Sequence, residues 1–123
     1  MAKTTVHFSI VNYSKADLGV LKNSVGPALL DLYGTFHNVP EIITTNDKPY
    51  DFTLEASEHA IGGLVYYKRA QPSEVLAFMV CAAKQNDIKN VVKCVSNLAH
   101  VTVECIISSG VNEPSCTITL KDM

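Results

Sequence analysis

The side chains best equipped for chemistry in this chain are four cysteines and four histidines. Structural zinc sites bring thiolates and imidazoles in close pairs. Here the steps from Cys81 to Cys94 to Cys105 to Cys116 all exceed ten residues, so no metal site and no cofactor is expected. Cys105 and Cys116 fall on facing strands of a closing hairpin and could approach each other. Both also suit inward positions where a thiol packs as a small hydrophobe, and buried free thiols are the preferred expectation. Cys81 lies inside the apolar run VLAFMVCAA with no base beside it in sequence, which makes an inert thiol the simpler assignment.

Among the histidines, His59 follows Glu58 at a strand corner and His37 stands at the end of an element. Either could act as a general acid or base with a carboxylate, although isolated histidines at such places more often cap or face solvent. Asp51 and Glu55 share one face of a strand, and four strand residues separate carboxylates by roughly 13 Å. That is too far for a glycosidase-like pair, so a solvated polar face is expected. Tyr66, Tyr67, Lys68 and Arg69 form the most suggestive cluster. Amphipathic rings beside the chain's single arginine have the composition of a recognition patch. A strand end with snorkelling cations would have the same composition.

These residues need elements to hold them. Residues Thr4 to Val11 alternate, with Val6, Phe8 and Ile10 on one face, as in a half-buried strand. Ser14 and Asp17 then resemble the start of a helix, followed by an apolar stripe of Leu18, Leu21, Val25, Leu29, Leu32 and Phe36. Pro27 is expected to kink that helix near Ser24 to Gly26. A short strand over Val39 to Thr45 and the turn residues Asn46 to Pro49 lead into Tyr50 to Ser57, the cleanest alternation in the chain. Ala60 to Arg69 is apolar on both parities, as in a doubly covered strand, and the pair Gly62 and Gly63 marks a bulge or a close backbone approach.

The longest apolar segment, Gln71 to His100, reads as two helical pieces joined near Lys84 to Asp87. Pro72 and Glu74 suit a helix start, and Asn86 or Asp87 could cap the second piece. Val75 to Ala83 is apolar on nearly every side, whereas Ile88, Val91, Val92, Val95 and Leu98 make a narrow stripe. Val101 to Ser108 and Cys116 to Lys121 alternate and form a closing hairpin. The expected fold is therefore a single α+β domain over residues 1–123, of order β-α-β-β-β-α(α)-β-β. Its mainly antiparallel sheet is packed on one face by two helical regions, and a ferredoxin-like split arrangement is one topology that fits.

Composition narrows the function. With 123 residues the chain can bury roughly two thirds of its unfolded surface in one core. Its net charge of −2 and its nine lysines with one arginine disfavour nucleic-acid binding, which needs clustered cations. No run approaches the roughly 20 apolar residues of a membrane span, and no secretory signal is visible, so a soluble cytoplasmic protein is expected.

Strand, helix and closing hairpin in the C-terminal half resemble the arrangement in phage tail-terminator ring subunits, over about half the chain. The resemblance implies a viral or phage structural or accessory protein active in virion assembly. The leading functional expectation is a non-enzymatic assembly or protein-binding module, partnered by itself or another protein. It would associate through an exposed sheet edge or through Val75 to Ala83. The alternative is a small ligand-binding domain or enzyme using His59 or His37 with a carboxylate.

Overall fold

The computed structural model describes residues 3–23, 26–27, 29–82, 90–108 and 113–123. No described residue is helical. One sheet holds β12 (Val101–Ile107), β13 (Ser115–Asp122), β1 (Thr4–Asn12), β8 (Asn46–Ala56) and β6 (Thr35–His37), in that order. The other runs β11 (Val91–Ser96), β10 (Gln71–Ala82), β9 (Ala60–Lys68), β2 (Leu18–Val20) and β7 (Ile42–Ile43), with β5 (Leu29–Tyr33) also paired to β9. A separate ribbon joins β3 (Lys22–Asn23) to β4 (Gly26–Pro27). All pairings are antiparallel except β1 with β13, which is parallel.

The α+β expectation is thus wrong: the chain is a two-sheet β structure without the two helical regions, and the ferredoxin-like topology goes with them. The error has a definite physical source. A short apolar run does not reveal its period, and Val75 to Ala83 looked helical because both of its parities are apolar. In β10 the even set, Leu76, Phe78, Val80 and Ala82, is buried in the core, and the odd set faces outward. β11 is rich in β-branched residues, which favour a pleated surface over a helix. The tail-terminator likeness required a helix where β10 and β11 lie, so the viral and virion-assembly role it implied falls with that helix.

Ser14 does cap, but it caps a corner. Asn12 Oδ1 accepts from the Ser14 N–H and hydroxyl at 3.0 and 2.6 Å, and Asn12 Nδ2 donates to the Ala16 carbonyl at 2.7 Å. The Ser14 hydroxyl in turn accepts from the Ala16 N–H at 3.2 Å, and the Thr45 hydroxyl donates to the Ser14 carbonyl. Asn12 and Ser14 are buried, so this network satisfies backbone groups where the chain crosses between sheets. The expected turn at Asn46 to Pro49 is instead the start of the eleven-residue β8. Of the kink expected near Ser24 to Gly26, Gly26 lies in β4, while Ser24, Val25 and the joint at Lys84 to Asp87 lie outside the described residues.

Phe8 and Phe52 stack across β1 and β8 at 4.7 Å, and Phe78 of the opposite sheet meets them at 5.7 and 6.2 Å. This aromatic group centres the core. At one side of the sandwich, Cys94 on β11 and Cys105 on β12 form a disulfide with Cα atoms 6.6 Å apart. The bridge ties an edge strand of one sheet to an edge strand of the other. Cys105 therefore pairs with Cys94 and not with Cys116, which is a buried free thiol, while Cys81 is free and exposed.

Two predictions follow from this core. Closing a loop of this length restricts the unfolded chain, so Cys94→Ala with Cys105→Ala should cost about 3 kcal/mol in urea denaturation. An unchanged midpoint would show that the bridge does not hold the sheets. Burial pushes the Cys116 thiol from its ordinary value up to about 12. The unfolded chain then releases this proton at lower pH than the folded one, so stability should decline as pH rises from about 9 to about 12. Cys116→Ala should flatten that decline; an identical slope in the variant would exclude the thiol as its source.

Candidate functional site

Strand alternation divides the four clustered residues. Tyr66 points inward, is fully buried, donates its hydroxyl to the Pro40 carbonyl at 2.8 Å and stacks on Phe78 at 6.4 Å. Burial raises its phenol above the ordinary range. Tyr67 points outward and lies over Gly19, where a side chain would meet the ring at 3.0 Å. Lys68 lies 3.7 Å from Glu74, and Arg69 is exposed at the strand end, where its N–H donates to the Asp17 carbonyl at 2.9 Å. Tyr66 is thus a core residue, and the expected patch reduces to its outward members.

Tyr67 and Arg69 line a groove of about 430 Å³ with Gly19, Leu21, Glu41 and Ile42 among its walls. Lys22, also in the groove, donates to Glu41 at 2.7 Å, and this hydrogen bond holds the Glu41 carboxyl below its ordinary pKa. Leu21 and Ile42 form exposed apolar lips.

From Tyr67 an apolar face runs across β9, β10 and β11. Register places Tyr67 beside Val75, then Val65, Ala77 and Val95 in one row. Gly63, Met79 and Lys93 make the next row, and Ile61, Cys81 and Val91 the last. Val95 is 72% exposed and Val91 47%, while Val65, Ala77, Met79 and Ile61 are half-buried. Lys93 is the single charged residue in these rows. Both parities of β9 and β10 are apolar because one covers the core and the other makes this face.

The face is held at its upper end by Asn97. Its side-chain oxygen accepts from the Val75 N–H at 2.6 Å, and its own N–H donates to the Val75 carbonyl at 3.1 Å. The Asn97 amide donates to the Ser73 carbonyl, and the Ala99 N–H donates to Glu74 at 2.7 Å. These bonds fix the irregularity between Gln71 and Val75, a place where Pro72 is tolerated in a strand.

The opposite outer face is polar. Ser9 donates to Asp51 at 2.7 Å, His7 contacts Glu113 at 3.1 Å and Lys3 contacts Glu55 at 3.1 Å. Asp51 and Glu55 thus serve separate partners on a hydrated surface. His37 is exposed on β6 opposite Thr53, and His59 lies in the connection from β8 to β9. Neither lines the groove or the apolar face. Among the described residues no group of three or more His, Cys, Asp or Glu could hold a metal ion, and no helix is long and apolar enough to cross a membrane.

No known family profile matches the chain, and no curated protein matches it. A solved structure does: the crystal structure of RahU protein in complex with a TRIS molecule. The two share a fold. The match has a TM-score of 0.71 and covers 98% of this chain and 96% of that one, at 12% sequence identity. Likeness to RahU at that identity extends to architecture alone.

Sequence patterning missed Val91 and Val95 as surface residues because their segment read as a helix stripe. It also missed Gly19, Leu21 and Ile42, which register brings beside Tyr67. The available signal was the double apolarity of β9 and β10, which no single buried layer explains. Gly63 confirms how tightly these strands meet: a Cβ there would stand 2.8 Å from the Met79 Cα and closer still to the Phe78 carbonyl oxygen. Gly63→Ala should therefore destabilise by more than about 3 kcal/mol or prevent folding, read by thermal and urea melts. A variant that melts like the parent would disprove the close approach.

Proposed function

We propose that this chain is a non-enzymatic protein-binding module whose binding surface is the outer face of β9, β10 and β11. The carrying observation is the set of apolar rows Val65–Ala77–Val95 and Ile61–Cys81–Val91 on the outer face of the sheet, where Val91, Val95 and Cys81 are exposed. Exposed apolar area of this continuity marks interaction sites on soluble domains. Tyr67 and Arg69, from the expected patch, stand at one end of it. The enzymatic alternative has less support, because His37 and His59 belong to different elements and neither enters the groove. The Cys94–Cys105 bridge favours an oxidising compartment over the expected cytoplasm.

An apolar dye reports such a face directly. Folded protein at about 1 µM should enhance the fluorescence of 1-anilinonaphthalene-8-sulfonate, and Val91→Lys with Val95→Lys should lower that signal at least about fivefold. Both positions are exposed, so the melting temperature should move by no more than about 2 °C. Equal dye binding by a folded double variant would remove this surface from consideration.

A further inference from the structure

Building on that binding surface, we infer that its occupant is a second copy of this chain, with the two six-stranded sheets stacked face to face. Charge points this way. Among the described residues the rows carry one cation, Lys93; beside them Lys68 is paired with Glu74 and Lys22 with Glu41, and Arg69 is a single exposed cation at the end of the groove. A nucleic acid or an anionic surface needs clustered unpaired cations, and a charged protein partner needs the opposite sign. A nearly uncharged apolar sheet is complementary to another of the same kind, and this chain supplies one.

Shape agrees with charge. Gly63, Ala77, Val65, Val91 and Val95 are short side chains on a pleated surface, and such faces pack sheet on sheet at about 10 Å. Four rows on three strands present about 400 Å² per copy in flat projection. Twice that area lies in the class of weak, reversible assemblies, so a concentration-dependent monomer–dimer equilibrium is expected. Isologous contact of one face with itself closes at two copies.

The sheet edges offer a poorer route. β6 and β7 have three and two residues, and β11 and β12 carry Lys93 and Glu104 within them. Antiparallel pairing of two copies about the middle of β12 would set Glu104 against its symmetry mate, and like charges in register repel.

Sedimentation equilibrium from about 1 to about 200 µM tests the stack. Dimer should form, Val95→Lys should weaken it at least about tenfold, and Lys93→Leu should tighten it severalfold. Alkylation of Cys81, which lies in the last row, should slow as dimer accumulates. A protein that stays monomeric throughout overturns the stack. So does a dimer indifferent to Val95→Lys but abolished by Thr102→Pro on β12, which would place the contact at an edge. A monomer that still binds the dye in a manner sensitive to Val91→Lys with Val95→Lys leaves the binding face standing and removes only the second copy. A monomer whose face binds neutral phosphatidylcholine vesicles assigns the face to lipid and likewise overturns the stack. Loss of both dimer and dye binding removes the stack and the binding face together.

Discussion

Phe78 is the contact on which the rest of the molecule depends. It reaches from β10 to Phe8 and Phe52 of the opposite sheet and stacks with Tyr66 beside it. Because side chains alternate along a strand, an inward Phe78 forces Ala77 and Met79 outward, and a slip of one residue would exchange the two faces. The apolar outer rows are therefore a geometric consequence of how the core is keyed. What is unusual is only that the outward set is apolar as well.

Constraints at its borders hold that outer face in place. The Cys94–Cys105 bridge pins β11 beside β12, so the edge strand carrying Val91 and Val95 cannot peel away. Asn97 and Glu74 fasten the other end by taking up backbone groups that the irregularity after Gln71 would leave unpaired. The Asn12–Ser14 network does the same where the chain first changes sheet. The Asn12–Ser14 network uses buried polar side chains and the Asn97 and Glu74 bonds use an exposed and a half-buried one, both where the ladder is interrupted.

The sequence was legible where one parity was apolar and the other polar. Thr4 to Val11, Tyr50 to Ser57 and the closing pair of β12 and β13 all show that alternation, and all are strands. It was illegible where both parities were apolar, because a doubly apolar strand and a buried helix look alike over eight residues. Val75 to Ala83 is such a case. The stripe from Leu18 to Phe36 failed for another reason: its three-and-four spacing was shared among short strands, and Leu21 is exposed while Leu18 is buried. The Tyr66 to Arg69 cluster was half legible. Residue types identified a recognition-like composition, but only pleat geometry could assign Tyr66 to the core and Tyr67 to the surface.

The parallel pairing of β1 with β13 governs how the chain must be made. Phe8 lies opposite Cys116 and Ile10 opposite Ile118, so β1 waits for a neighbour made more than a hundred residues after it. β12 joins the five-stranded sheet only through β13 and cannot dock before it. A nascent chain emerging from a ribosome can assemble the β9–β10 hairpin early, yet its core stays open until β13 is free. Such long-range closure makes folding slow and leaves apolar strands unprotected in the interval, so this molecule has more to gain from chaperone cover during synthesis than a domain built from local contacts.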